Sequence, residues 1–128
     1  MEGEKRKILI VDDDTFLLDM YALKFSQGNF EVHTASSAKD ALEKLKDGLT
    51  PYIILLDIIM PEMNGFEMME KMIDEGIAKD AIKIIFSNKG QQSDIDRGRD
   101  LGATDYIVKA DCTPAEVINK VMSIIAKK

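Results

Sequence analysis

An acidic triplet (Asp12, Asp13, Asp14), a lone Asp57, a hydroxyl at Ser87 and an amine at Lys109 each stand directly after a short apolar run. If those runs are parallel strands of one sheet, the polar residues converge on its C-terminal rim, where open α/β folds bind ligands. Two carboxylates about 4 Å apart repel by roughly 4 kcal/mol at an effective dielectric of about 20. One lysine does not balance Asp12, Asp13 and Asp57, so either a carboxylate keeps its proton or a cation binds. An all-oxygen donor set suits Mg²⁺ better than zinc. No Cys–His constellation competes, because His33 and Cys112 stand alone. A cation beside a free carboxylate, a hydroxyl and a lysine makes a receptacle for a phosphoryl group. The cation and Lys109 neutralise its oxygens and Ser87 donates a hydrogen bond. Asp57 is then the nucleophile, and the product is an aspartyl phosphate.

The elements that must position these groups alternate strand and helix five times along the chain. Ile8 to Val11 reads as a buried strand, and Asp14 to Gln27 as a helix with Leu17, Met20, Tyr21 and Phe25 on one face and Gly28 at its end. Phe30 to Ala35 alternates apolar and polar residues, which suits an edge strand. Ser37 opens a second helix that Pro51 prevents from continuing. Tyr52 to Leu56 is the third strand, and Asn64 with Glu67 caps the helix after it. Ile82 to Phe86 is the fourth strand. The fourth helix is expected from Asp94 to Leu101; it has few large apolar residues, and Gly98 inside it costs about 1 kcal/mol relative to alanine. Asp105 to Val108 is the fifth strand, and Thr113, Pro114 and Glu116 start the last helix. Five βα units predict a doubly wound, flavodoxin-like parallel sheet in the order 2-1-3-4-5, with a core over about residues 6–126 of a single domain.

Composition excludes several classes. A net charge of −6 with no basic stripe disfavours direct DNA binding. No apolar run approaches the roughly 20 residues that span a bilayer, and the four apolar residues after the N-terminal Met1–Lys7 are too few for a signal peptide. A single cysteine, Cys112, fits a reducing interior. The expectation is a soluble cytoplasmic domain without a membrane partner.

The segments Lys7–Asp14, Asp57–Gly65, Ser87 and Gly102–Lys109, in this order and spacing, resemble the receiver domain of two-component response regulators over essentially the whole chain. The stand-alone chemotaxis-type receivers are similar in form. The resemblance implies that Asp57 accepts a phosphoryl group from the phosphohistidine of a histidine kinase or phosphotransfer protein. It implies Mg²⁺ held directly by Asp13, Asp57 and the backbone carbonyl of Ile59, with Asp12 acting mainly through water. Ser87 and Lys109 would bind phosphoryl oxygens. Tyr106 would swing inward as Ser87 moves, changing the face formed by helix 4, strand 5 and helix 5 for a downstream effector. Such a protein is no conventional enzyme; at most it catalyses its own phosphorylation and dephosphorylation.

The sequence departs from the family pattern in three places. Ala110 follows Lys109 where proline is usual, so a cis bond there, at a cost of about 3–4 kcal/mol, is not carried over. Bulky Ile59, two residues after Asp57, is expected to obstruct attacking water and slow dephosphorylation; Lys89 stands at the same offset from Ser87. Gly98 replaces a common alanine, which predicts a fourth helix that opens easily. Ordinary roles are expected elsewhere: Asp14 as a helix cap, His33 as surface, Cys112 as inert, and Met60, Met63, Met68, Met69 and Met72 as core filling. For Tyr106, packing at a strand end stands beside the switch role. Two competing readings are a non-phosphorylated pseudo-receiver, which usually lacks an acid or the lysine, and a haloacid-dehalogenase-type phosphatase using Asp12. The second has Phe16 where its signature needs threonine or valine.

Overall fold

The computed structural model describes residues 5–127; Met1–Glu4, part of the segment weighed as a leader, lie outside the described residues. The strands are β1 (Arg6–Val11), β2 (Phe30–Ala35), β3 (Ile53–Leu56), β4 (Ile82–Ser87) and β5 (Asp105–Val108). The helices are α1 (Thr15–Gln27), α2 (Ala38–Lys46), α3 (Gly65–Glu75), α4 (Gln92–Asp100) and α5 (Pro114–Ala126). All strand pairs are parallel, in the order β2-β1-β3-β4-β5. This is the doubly wound, flavodoxin-like α/β architecture expected from the sequence, with β2 at one edge.

The sheet divides its side chains between two faces because successive strand residues point to opposite sides. Ile8, Ile10, Ile53, Leu55, Ile84 and Phe86 pack under α1 and α5, with Phe25, Tyr21, Val117 and Val121. Leu9, Val11, Ile54, Leu56 and Ile85 pack under α2 and α3. Met60, Met68, Met69 and Met72 are buried in this second layer, and Met63 packs against it. These methionines fill the core, as their flexible thioethers are suited to do. His33 is partly buried rather than simply exposed, and its Nε2 lies 2.6 Å from Glu31 Oε2 on the edge strand. Cys112 is a free, partly buried thiol against the α1–α5 layer.

Caps set the helix starts. The Asp14 side chain accepts from Leu17 N–H at 3.2 Å, so α1 begins at Thr15 with Asp14 as its cap. Ser37 accepts from Asp40 N–H at 3.0 Å, while Asn64 and Thr113 each form a reciprocal capping box with the glutamate three residues on. The fourth helix differs from expectation: it runs Gln92–Asp100, not Asp94–Leu101. Asp94 is the third residue of the helix, and its carboxylate reaches back to Gln91 N–H at 3.2 Å. An acid that looked like a start is the returning half of a cap.

Gly98 also has a packing reason. A Cβ there would lie 2.5 Å from Ile85 Cδ1, so α4 sits close enough to β4 that any larger residue would require the Ile85 side chain to move. Yet α4 buries only Asp94 and Gly98, whereas α5 buries Val117, Val121, Ile124 and Ile125. With so little apolar surface to lose, amides within α4 are expected to exchange about 10-fold faster than those of α5 or more, measured by native-state hydrogen exchange. Equal protection of the two helices would contradict this.

Candidate functional site

The parallel ladder runs on past the strands and fixes the two buried acids. Asp12 N–H donates to Ala35 C=O at 3.1 Å and Asp57 N–H to Val11 C=O at 3.0 Å. Both carboxylates are thereby held at neighbouring C-terminal strand ends, and both are buried, Asp12 at 3% and Asp57 at 6% exposure. Lys109, delivered by β5, spans them: Nζ donates to Asp12 Oδ2 at 2.7 Å and to Asp57 Oδ2 at 2.9 Å. The other oxygens are tied locally, Asp12 Oδ1 to Asp14 N–H at 2.9 Å and Asp57 Oδ1 to Ile59 N–H at 3.1 Å. Asp13 is exposed beside them, and one oxygen each from Asp12, Asp13 and Asp57 lies within 4.8 Å of the others.

The charges of this cluster are held by opposing effects. Burial pushes the Asp12 carboxyl above its ordinary value, against the lowering by the Lys109 hydrogen bond and the Asp14 backbone. Burial also works against the Lys109 ammonium, but its hydrogen bonds to Asp12 and Asp57 outweigh that and raise it. Fully ionised, three carboxylates face one amine, leaving a double negative charge at a set of oxygen donors. That donor chemistry fits a hard divalent cation such as Mg²⁺.

Ser87 and Tyr106 meet at one residue between them. Ser87 is fully buried, and its Oγ accepts from Lys89 N–H at 3.2 Å. The Tyr106 hydroxyl donates to the Lys89 carbonyl, placing the phenol across the loop between β4 and α4. Burial, then the charges of Asp94 and Asp57, push the Tyr106 hydroxyl up to about 12. Lys109 begins a short 3₁₀ turn, Lys109–Asp111, and no peptide bond among the described residues is cis, the Lys109–Ala110 bond included.

All the acids, the hydroxyl and the amine singled out in the sequence therefore share one rim. Ile59 joins through its backbone N–H, with its side chain 56% exposed. The structure adds roles to three residues already named. Lys89, noted for its offset from Ser87, holds Ser87 and Tyr106 through its backbone; Asp94, read only as a helix start, is buried beside it; and Gly65, quoted only as the end of a motif, lies against the Asp57 backbone. The returning carboxylate of Asp94 is a local signal; the others depend on tertiary approach.

Three acids, a hydroxyl and a lysine thus meet at the C-terminal rim of a doubly wound parallel α/β sheet. A family profile for the response regulator receiver domain matches residues 8–122. The chain belongs to the response regulator receiver domain family. It is 32% identical over 120 residues to the response regulator SaeR of Staphylococcus epidermidis, covering 94% of this chain and 50% of that protein. The chain spans about half the length of the curated relatives it matches. Among solved structures it is similar to a CheY-like receiver domain protein from Methanospirillum hungatei, with a TM-score of 0.83, 28% identity, and 97% and 96% of the two chains covered. The fold also matches Vibrio cholerae CheY4, with a TM-score of 0.86 at 24% identity over 94% of this chain and 99% of that one. No helix among the described residues is long and apolar enough to cross a membrane.

Proposed function

We propose that this chain is a phosphoryl-accepting signalling switch that acts in the cytoplasm, with Asp57 as the acceptor. The observation that carries the reading is the Asp57 carboxylate, buried at the end of β3 and held by Lys109 beside Asp12 and Asp13. An Asp57 oxygen attacks the phosphorus of a donor's phosphohistidine; the new O–P bond forms as the P–N bond breaks, and the proton needed by the departing imidazole comes from solvent. Asp13, Asp57 and the Ile59 carbonyl, with Asp12 behind them, would hold Mg²⁺, which would supply charge neutralisation for the phosphoryl oxygens. Lys109 keeps its place against Asp57 and turns its remaining donors to the same oxygens. Ser87 donates a hydrogen bond from its hydroxyl to a phosphoryl oxygen and in doing so draws its Oγ away from Lys89 N–H. The Lys89 carbonyl is the acceptor for Tyr106, so that shift reaches β5 and the face made by α4, β5 and α5. A histidine kinase or phosphotransfer protein is the proposed donor and an effector protein the reader of that face; neither DNA nor a membrane is a direct partner.

Intact-mass measurement after incubation with a small acyl phosphate, with and without Mg²⁺, tests the reading. One phosphoryl group is expected on the wild type in the presence of Mg²⁺ and none on Asp57→Asn. Equal modification of the two would overturn it, and a phosphoryl group mapped to Asp12 would point to a phosphatase-type nucleophile instead. A wild type that takes up nothing would mark a pseudo-receiver.

Ile59 sets the expected lifetime of the modified state. Its backbone N–H is fixed on Asp57 Oδ1 and its side chain is exposed, so this hydrocarbon close in sequence to the acceptor is expected to limit the approach of water. Ile59→Asn replaces that hydrocarbon with a group that can orient water, and is expected to shorten the phosphoform half-life by about 3- to 10-fold. A half-life as long as the wild type's, followed by mass, would show that Ile59 has no such role.

A further inference from the structure

Four polar or charged side chains are buried among the described residues: Asp12, Asp57, Ser87 and Asp94. Three of them make the rim, and the fourth has no part in the chemistry proposed above. Asp94 is 7% exposed on the first turn of α4. One of its oxygens, Oδ2, accepts from Gln91 N–H at 3.2 Å, which an uncharged asparagine would do as well. The other, Oδ1, lies 3.6 Å from Lys89 Nζ, the basic group within 4 Å of Asp94 among the described residues. A buried carboxylate needs such a counter-charge.

Lys89 is also the residue on which the rim and Tyr106 converge. Its amide is held by Ser87 Oγ, its carbonyl by the Tyr106 hydroxyl, and its ammonium by Asp94. The side chain is 50% exposed, a four-carbon stem free to turn, whereas Asp94 is fixed in the helix. A phosphoryl group brings about −1.5 to −2 charge, part of which a bound cation and Lys109 would offset, and its oxygens next to Ser87 offer a second partner to a mobile ammonium two residues along the chain.

We propose that Lys89 exchanges partners, from Asp94 in the resting protein to a phosphoryl oxygen on Asp57, and that Asp94 is the resting counter-ion pinning the start of α4. This deepens the proposed function and rests on it. The exchange couples modification of Asp57 to α4 by a route additional to the Ser87–Tyr106 shift. When Lys89 leaves, Asp94 keeps only its cap bond in a buried position, and the first turn of α4 loosens. Asp94 is in this sense a positioning residue, acting through Lys89.

The test is the initial rate of Asp57 modification by a small acyl phosphate with Mg²⁺, read by intact mass, for wild type, Asp94→Asn, Lys89→Gln, the double variant and Lys89→Arg. Asp94→Asn keeps the cap oxygen and releases Lys89, so the rate is expected to rise by about threefold or more, the range of coupling between contacting residues. Lys89→Gln is expected to lower it by a similar factor, and Asp94→Asn to add nothing in that background. Lys89→Arg, which keeps the charge, should recover part of the rate lost in Lys89→Gln. Hydrogen exchange at residues 92–95 gives the second readout: faster on phosphorylation in wild type, and already fast in unmodified Asp94→Asn. An unchanged rate in Asp94→Asn, or the same acceleration with and without Lys89, overturns the exchange while leaving Asp57 as acceptor intact. Should Asp94→Asn not fold, a Lys89→Gln rate equal to wild type overturns it alone. No uptake by the wild type removes the underlying reading and the exchange together.

Discussion

Replacing Lys109 with methionine is expected to cost about 3–5 kcal/mol of stability at neutral pH, the loss typical of removing one partner from a buried ionic cluster. Its amine lies between two buried carboxylates, 2.7 Å from Asp12 Oδ2 and 2.9 Å from Asp57 Oδ2, and methionine fills the volume but leaves both charges uncompensated. Against a total stability of about 5–15 kcal/mol for an ordinary domain, that is a large fraction. The pH dependence has a definite sign. Asp12 is raised above its ordinary 3.8, chiefly by burial, so between that value and its higher folded value the native state holds the extra proton. Stability from this group is therefore present below 3.8 and lost as pH rises through the folded value. Removing Lys109 deletes the hydrogen bond and charge that restrain the rise, so the window extends further upward. Urea denaturation of wild type and Lys109→Met at pH 7 and pH 5 is expected to show the gap between them narrowing at the lower pH. The contribution of Lys109 itself, raised from 10.5, is fully present below that value and fades only as pH climbs through its folded one. A gap that stays constant between pH 7 and pH 5 would mean that the carboxylates are not the source of the loss.

Gly65→Ala is the second large effect. A Cβ at position 65 would stand 2.3 Å from the Asp57 carbonyl oxygen and 2.9 Å from Ile58 Cα, both backbone atoms that cannot turn aside. The same residue donates its N–H to Ile58 C=O at 3.0 Å and begins α3 directly after the Asn64 cap. Alanine must therefore push the start of α3 away from the segment that follows the acceptor. Overpacking of this kind costs about 1–3 kcal/mol, and the backbone character of the clash puts Gly65→Ala at the upper end. Gly28→Ala is the matching control, since its nearest contact is 3.4 Å from the Phe25 carbonyl oxygen, ordinary van der Waals contact. A stability change of less than about 1 kcal/mol is expected there. Because the displaced backbone carries Asp57 and Ile58, Gly65→Ala should also slow acyl-phosphate modification, whereas Gly28→Ala should not. If the two variants unfold at the same denaturant concentration, the close approach at Gly65 does not constrain the site.

What was legible in the chain follows the range of the interactions involved. The β2-β1-β3-β4-β5 order and the rim could be read because each strand is a short apolar run that ends in a polar residue, and because the parallel βα rhythm leaves few ways to wind. Asp14, Ser37, Asn64 and Thr113 were readable as caps, since a cap is a bond between residues three apart. The fourth helix was misplaced by two residues at its start because Gln91 is a poor cap by type, and only the returning Asp94 carboxylate fixes the boundary. Gly98 was read as a weak point, and its tight approach to Ile85 is invisible without the sheet beneath it.

The sequence alone thus determined the inventory: three acids, a hydroxyl and a lysine at strand ends, with local periodicity and capping enough to order them. Only the tertiary structure decided which atoms meet. It brought Lys109 onto Asp12 and Asp57 from 97 and 52 residues away, set Gly65 against the Asp57 backbone, and hung both Ser87 and Tyr106 on Lys89. Such contacts depend on strand register and on how closely helices settle on the sheet, quantities fixed by the packing of the whole core rather than by any run of neighbouring residues.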